Sequence, residues 1–210
     1  MFITFFLIVL AGYLVGSIPT GYLVGKAKGI DLRKEGSGNI GATNALRVLG
    51  KKAGILVLLI DLLKGVAGCY LGIFTPHLLG MPAEEIQTKH YALMLAGGIS
   101  AVIGHTFTCW LKFKGGKGVA TTAGVFLAIV PEALIVCLII FLITVFISHY
   151  VSLASILAAI ALVPLVYFFH HDMGFTLFTA LIAILVIYRH RANIKRLING
   201  TENKIWGNKK

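Results

Sequence analysis

The sequence is poor in charged residues, in acidic residues and in cysteine. Charged residues make up 13% of the 210 residues, about half the usual share of a soluble domain, whereas hydrophobic residues make up 58%. A soluble domain of this length needs more polar surface, and a disordered chain is far less apolar. The three cysteines, Cys69, Cys109 and Cys137, are widely separated and lack metal-site spacing, which predicts core-filling thiols. These shortages exclude disorder and disfavour a soluble protein.

The shortage of acids leaves a large positive charge. Nineteen Lys and Arg stand against eight Asp and Glu, so the net charge is +11. Such a charge suits nucleic acid, an anionic membrane surface or anionic substrates. The basic residues are clustered: seven lie in 26–52, three in 112–117 and seven in 189–210, and only Lys64 and Lys89 lie elsewhere. Because clusters at membrane boundaries set topology, nucleic acid is unnecessary as a partner.

Long apolar runs separate the basic clusters. A spanning helix needs about 20 mostly apolar residues, and the candidate spans are 2–25, 53–74, 90–110, 118–130, 132–148, 152–169 and 173–188. Pro19 is predicted to kink the first, and Pro131 with Glu132 to start the fifth. Two glycine pairs in the first span (Gly12/Gly16 and Gly21/Gly25) and one in the second (Gly68/Gly72) predict tight helix packing, with a dimer face as the alternative.

The positive-inside rule places all three clusters in the cytoplasm, which requires 118–148 to cross the membrane twice. The predicted fold is therefore an all-α, polytopic integral membrane bundle of about seven transmembrane helices, formed as one domain over residues 1–210. Its N-terminus is predicted outside and its C-terminus in the cytoplasm. The rival interpretation is a re-entrant segment over 118–130.

The first cluster contains a segment in which glycines and small polar residues surround an arginine. Glycines let backbone N–H groups turn toward an anion, and an arginine offers a two-pronged grip on phosphate. A turn-rich loop also uses Gly, Ser and Asn, but the dense combination favours phosphate binding. The candidate residues are Gly36, Ser37, Gly38, Asn39, Gly41, Thr43, Asn44 and Arg47.

The second cluster leads through Gly115, Gly116, Lys117 and Gly118 directly into an apolar helix. A glycine-rich entry to a helix N-terminus is a ready anion site. The pattern is not a Walker A loop, because a glycine follows Lys117 where that motif needs Ser or Thr. The alternative is a basic loop that only sets topology, and phosphate binding is favoured over it.

The third cluster follows the last span. On a helix, His190, Asn193 and Leu197 share one face. Phosphate chemistry and a tail that binds anionic lipid are equally supported by these residues alone. Within the spans, Asp61 and Lys64 predict a structural ion pair and His105 a satisfied interior histidine. Ser155 is a further candidate for the same site.

Three stretches resemble the cytoplasmic motifs of the bacterial acyl-phosphate:glycerol-3-phosphate acyltransferases. They are SGNIGATN at 37–44, KFKGGKGVAT at 112–121 and HRANIKRL at 190–197 with GTE at 200–202. The resemblance covers almost the whole chain and implies a seven-helix membrane enzyme. It implies that Ser37 and Arg47 serve catalysis and substrate binding, and that the 115–118 loop, with Lys117, holds glycerol 3-phosphate. It further implies that His190 and Asn193 act in the third motif, joined by Ser155, with Glu202 as a support.

The implied reaction transfers a fatty acyl group from acyl phosphate to the 1-hydroxyl of sn-glycerol 3-phosphate. The products are lysophosphatidic acid and inorganic phosphate, in the first acylation step of phospholipid biosynthesis. No metal, cofactor, CoA or acyl carrier protein is expected, because phosphate is already a good leaving group. The expected location is the bacterial cytoplasmic (inner) membrane, with membrane lipid around the helices and the active site facing the cytoplasm.

Three routes are open for the hydroxyl proton and the acyl group. Assistance by the phosphate of the acyl donor is favoured, His190 as general base comes next, and an acylated Ser37 comes last. A rival function is a transporter for a small phosphate ester, suggested by Asp61, Lys64 and broken helices. A structural protein that binds acidic lipid is a weaker third.

Overall fold

The apolar segments are helices in the computed structural model, which describes residues 1–206. Over those residues the fold is all-α, without a β-strand, as predicted. The helices are α1 (Phe2–Ser17), α2 (Thr20–Ala27), α3 (Ala42–Leu49), α4 (Lys51–Leu78), α5 (Ala83–Thr88), α6 (His90–Thr106), α7 (Val119–Ile129), α8 (Pro131–Ser148), α9 (Val151–His170), α10 (Met173–Arg189) and α11 (Arg191–Ile198). A short 3-10 turn, Cys109–Leu111, lies between α6 and α7.

Five stretches of the described chain are long and apolar enough to cross a membrane: Phe2–Ala27, Lys51–Leu78, His90–Leu111, Pro131–Ser148 and Val151–His170. A sixth is obtained when α10 and α11, bent by 57°, are taken as one span. By contrast, α7 has 11 residues, a rise of about 16 Å against a hydrocarbon core of about 30 Å. Seven full crossings and the orientation of the termini therefore stay predictions.

Prolines define two of the helix boundaries, as the sequence predicted. Ile18 and Pro19 interrupt the first apolar run between α1 and α2. Pro131 occupies the first turn of α8 with Glu132 beside it. A proline has no N–H to donate, so it suits the first turn of a helix better than its interior, although α4 and α9 accommodate Pro76 and Pro164.

The chain contacts group into two compact units, Met1–Ile129 and Val130–Lys210. The prediction of one domain over the whole chain stays a prediction. In the first unit, α6 packs against α1, α4 and α7, and the short α3 packs on α4. In the second unit, α9 packs against α8, α10 and α11.

Glycines bring α1, α4 and α6 into backbone contact in the first unit. A Cβ on Gly12 would lie 2.5 Å from the carbonyl oxygen of Gly97, and one on Gly97 would lie 2.1 Å from that of Gly68. Gly16 and Gly72 similarly face the backbones of Ala101 and Leu93. The interpretation as helix packing is confirmed for Gly12/Gly16 and Gly68/Gly72, because these faces are covered inside the chain, whereas Gly21 and Gly25 face the backbone of residues 30–40.

Candidate functional site

The first predicted segment folds around the buried side chain of Asn44. Its Oδ1 accepts the backbone N–H of Ser37 at 2.8 Å. Its Nδ2 donates to the carbonyl oxygens of Leu32 at 3.2 Å and Glu35 at 3.0 Å. Both amide hydrogens are therefore used to shape the loop. These bonds hold the backbone around Ser37, and substrate contact by Asn44 stays a prediction.

Gly36 and Gly38 allow this loop to present Ser37 outward. Their φ angles are +59° and +71°, a left-handed conformation that favours glycine. A Cβ on Gly36 would also lie 2.3 Å from Oδ1 of Asn44. Ser37, between the two glycines, is exposed. The loop thus holds a hydroxyl in a fixed position at the surface.

The segment then turns into α3, which carries Arg47. Asn39 accepts the N–H of Gly41 through Oδ1 at 2.8 Å, and Gly41 precedes the helix. The opposite face of α3 buries Ala45 in a cluster with Leu32 and Val57. Thr43 lies half-buried in the first turn and Arg47 exposed in the last. The amphipathic pattern of α3 therefore keeps Arg47 at the surface.

The second segment folds back onto the end of α6. The N–H of Gly116 donates to the carbonyl oxygen of His105 at 3.0 Å, and the N–H of Gly115 to that of Thr106 at 3.1 Å. A Cβ on Gly116 would lie 2.1 Å from Nε2 of His105. The two glycines thus bring the loop against His105, and phosphate binding by this loop stays a prediction.

Lys117 follows this anchored turn and directly precedes α7. Gly118 has a φ of +84°, and its carbonyl oxygen accepts the N–H of Thr122 at 2.8 Å in the first turn of α7. Lys117 is half-buried. It therefore lies at a helix N-terminus, where the unsatisfied N–H groups and the helix dipole favour an anion.

Asp61 and Lys64 form the predicted ion pair inside α4. Lys64 Nζ lies 2.6 Å from Oδ1 of Asp61, with both side chains 4% exposed. The same oxygen accepts the hydroxyl of Thr20 at 3.0 Å and lies 3.6 Å from Nδ1 of His105. Lys64 also donates to the carbonyl oxygen of Ile18. The involvement of Thr20 and His105 was missed from sequence, because residues from α2, α4 and α6 become neighbours only in the fold.

These contacts connect both segments of the first unit to the same helices. A Cβ on Gly21 in α2 would overlap the carbonyl oxygen of Ile40, so the first segment rests on α2. The adjacent Thr20 binds Asp61, and Asp61 lies beside His105, which supports the second segment. Over residues 1–206, no group of three His, Cys, Asp or Glu side chains is arranged to hold a metal ion. The expected absence of a cofactor stays a prediction.

In the second unit, His190 is buried at the junction of α10 and α11. Its Nδ1 lies 2.8 Å from the carbonyl oxygen of Val186. Because a carbonyl oxygen only accepts hydrogen bonds, Nδ1 is the nitrogen that carries the proton. In the neutral ring, Nε2 is then the hydrogen-bond acceptor.

Glu202 joins three parts of the second unit. Its Oε1 accepts from Asn193 Nδ2 at 2.7 Å and from the hydroxyl of Ser152 at 2.9 Å, and its Oε2 accepts from Arg196 Nε at 2.6 Å. Burial raises the pKa of Glu202. These hydrogen bonds, led by that from Asn193, lower it by more, so the pKa lies below its usual value near 4.5. Glu202 is thus bound by three side chains of the protein, and its supporting role stays a prediction.

Ser155 and Ser152 differ in what they bind. The predicted Ser155 is buried, and its hydroxyl donates to the carbonyl oxygen of Val151 at 2.8 Å within α9. Ser152, one turn earlier, binds Glu202 instead. Its link to the third motif is visible only once the chain after α11 returns to α9.

A family model described as "Glycerol-3-phosphate acyltransferase" matches residues 6–200. Among curated proteins, the chain is 45% identical to a glycerol-3-phosphate acyltransferase of Chlorobaculum tepidum, covering 97% of each chain. It is 44% identical to one of Fusobacterium nucleatum subsp. nucleatum, covering 95% of this chain and 97% of that one.

Two solved structures are similar to the chain. Both are of PlsY (YgiH), an integral membrane glycerol 3-phosphate acyltransferase. The glycerol 3-phosphate form has a TM-score of 0.85 and 36% identity, covering 97% of this chain and 96% of the other. The lysophosphatidic acid form has a TM-score of 0.82 and 35% identity, covering 95% and 94%. These similarities extend over the same residues as the three motifs.

Proposed function

Because the chain belongs to the glycerol-3-phosphate acyltransferase family, we propose that it transfers a fatty acyl group from acyl phosphate to the 1-hydroxyl of sn-glycerol 3-phosphate. The products are lysophosphatidic acid and inorganic phosphate. The chain is a multi-pass membrane protein, and we place its reaction at the cytoplasmic face of the bacterial inner membrane. That side carries the basic clusters under the positive-inside rule.

The position of Lys117 is the observation that carries the proposal. It lies half-buried at the N-terminus of α7, in a loop whose two preceding glycines are tied to α6. An ammonium group and a helix N-terminus together favour a phosphate dianion. We assign the phosphate of glycerol 3-phosphate to this position. The exposed Arg47 provides the second, bidentate phosphate contact.

The chemistry needs positioning and charge stabilisation more than a strong base. The 1-hydroxyl oxygen attacks the acyl carbonyl carbon, and the bond between that carbon and the phosphate oxygen breaks. The hydroxyl proton passes to the departing phosphate, which leaves as inorganic phosphate. Positively charged groups stabilise the oxyanion formed on the carbonyl oxygen. No CoA, acyl carrier protein or metal is required, because phosphate is the leaving group.

His190 and Asn193 belong to the second unit, and we assign them to the acceptor hydroxyl. The hydrogen bond from Nδ1 of His190 to Val186 directs the basic nitrogen, Nε2, away from that carbonyl. His190 is thus prepared to accept a hydrogen bond and also to act as a base. A pH–rate profile of His190→Gln separates the two: proton transfer to the donor phosphate predicts measurable turnover and an unchanged profile. Complete loss of turnover in a folded variant would instead favour His190 as base.

The alternative of a phosphate-ester transporter loses its main support. Asp61 and Lys64 suggested a polar path through the membrane, but both are closed off by Thr20, His105 and the carbonyl oxygen of Ile18. A pair with such partners is a structural pair rather than an ion pathway.

The proposal is tested with the purified full-length protein in lipid nanodiscs. Palmitoyl phosphate with glycerol 3-phosphate is expected to give lysophosphatidic acid and an equal amount of inorganic phosphate. Palmitoyl-CoA and palmitoyl acyl carrier protein, at the same concentration, are expected to give none. Product from palmitoyl-CoA but not from palmitoyl phosphate would refute the proposed donor.

A further inference from the structure

His105 stands between a buried carboxylate and the loop that carries Lys117. Its side chain is 7% exposed, and its Nδ1 lies 3.6 Å from Oδ1 of Asp61. The other edge of the ring faces Gly116, where a Cβ would lie 2.1 Å from Nε2. The backbone of His105 makes a third contact, because its carbonyl oxygen accepts the N–H of Gly116 at 3.0 Å. One residue thus contacts the carboxylate through one ring nitrogen and the loop through its other edge.

The carboxylate is itself held rigidly. Lys64 Nζ at 2.6 Å and the hydroxyl of Thr20 at 3.0 Å bind the same oxygen that faces His105. Lys64 lies on α4 with Asp61, Thr20 lies on α2, and His105 itself lies on α6. The position of the ring is therefore set by three helices. In a buried network whose members are satisfied, each group restricts the others, and the arrangement has little freedom to rotate.

We propose that His105 is a positioning residue for phosphate binding: the Asp61 carboxylate fixes its ring, and the ring with its carbonyl oxygen fixes Gly116 and therefore Lys117. The inference rests on the proposed function, in which Lys117 binds the phosphate of glycerol 3-phosphate. His105 contacts no substrate in this scheme. It acts through the loop, much as an outer layer of residues orients the direct ligands of a site.

Loss of the ring should change substrate affinity more than the amount of folded protein. A displacement of about 1 Å in a positioned group costs up to about 100-fold in rate or binding. We therefore expect His105→Ala to raise KM for glycerol 3-phosphate about 10- to 100-fold, with KM for acyl phosphate unchanged. A merely structural role would reduce the active fraction, which lowers kcat and leaves both KM values unchanged.

A double-variant cycle with Gly116 tests the contact itself. Gly116→Ala places a methyl group against Nε2 and should displace the loop. In Gly116→Ala/His105→Ala the ring is absent, so the methyl group has room, and the combined loss should be smaller than the product of the two single losses. Losses that multiply would show that the two residues do not act on each other.

The measurements distinguish failure of this inference from failure of the proposed function. Binding of glycerol 3-phosphate to the full-length protein in nanodiscs, followed by calorimetry without an acyl donor, does not depend on which donor is used. An unchanged Kd for glycerol 3-phosphate in folded His105→Ala would overturn the inference even with an active wild type. If His105→Ala does not fold, His105→Asn keeps a donor toward Asp61 but lacks the ring edge beside Gly116. It should show the same rise in Kd, and an unchanged Kd would again overturn the inference.

Discussion

Removal of Lys64 should destabilise the protein far more than removal of an exposed lysine. Lys64→Met leaves the Asp61 carboxylate buried without its closest cation, with Thr20 and His105 as its remaining partners. Breaking a buried ion pair from one side costs about 3–5 kcal/mol. At about 1.4 kcal/mol for each factor of ten, the unfolding equilibrium should shift by roughly 100- to 4000-fold.

Two further variants show where this free energy comes from. Asp61→Asn/Lys64→Met removes both charges and keeps an acceptor for Thr20, so it should recover most of the loss, because replacing a whole buried pair is often nearly neutral. Lys89→Met is the matched control, because Lys89 pairs with Glu85 at 2.6 Å but both side chains are more than a third exposed. It should cost at most about 1 kcal/mol.

The assay is reversible unfolding in mixed micelles of mild detergent and dodecyl sulfate, followed by circular dichroism. Equal losses for Lys64→Met and Lys89→Met would refute the reasoning. A double variant as unstable as the single Lys64→Met would refute it as well, because the penalty would then not come from an uncompensated carboxylate.

Three other predictions concern the site and the topology. Arg47→Ala and Lys117→Ala should each lose most acyltransferase activity while folding normally, whereas Lys112→Ala, exposed in the same loop segment, should retain it. Because Glu202 has a folded pKa below its usual value near 4.5, its stabilising contribution is present above that value and is lost as pH falls; Glu202→Gln should flatten this acid limb in melting curves. With Cys69, Cys109 and Cys137 changed to alanine, single cysteines at Glu84 and Asn199 should label from opposite sides of the membrane; labelling from one side would exclude seven crossings.

The helices could be predicted because the bilayer constrains them strongly. A chain in hydrocarbon must satisfy its backbone groups internally, so each long apolar run becomes a helix. The start of α8 was also readable, since Pro131 with Glu132 beside it suits a first turn. The bounds of α7 were readable too, because the candidate span 118–130 matches Val119–Ile129 closely. The helix begins after Gly118, where φ is +84°, and ends before Pro131. Whether this short helix crosses the membrane stays a prediction.

The site was predictable in its residue types but only partly in its geometry. Glycine is required both where N–H groups turn toward an anion and where backbone approaches a bulky side chain, and the sequence pattern is the same for both. At Gly115 and Gly116 the second use is visible, because their N–H groups donate to carbonyl oxygens of α6 and a Cβ on Gly116 would meet the ring of His105. The deciding residue, His105, lies ten positions before Gly115 and carries no motif signal of its own. The role inferred for His105 depends on its contact with Asp61 of α4, and the two residues become neighbours only because α4 packs against α6. A motif therefore predicts where phosphate binds, whereas the residues that hold the motif in place must be read from the contacts around it.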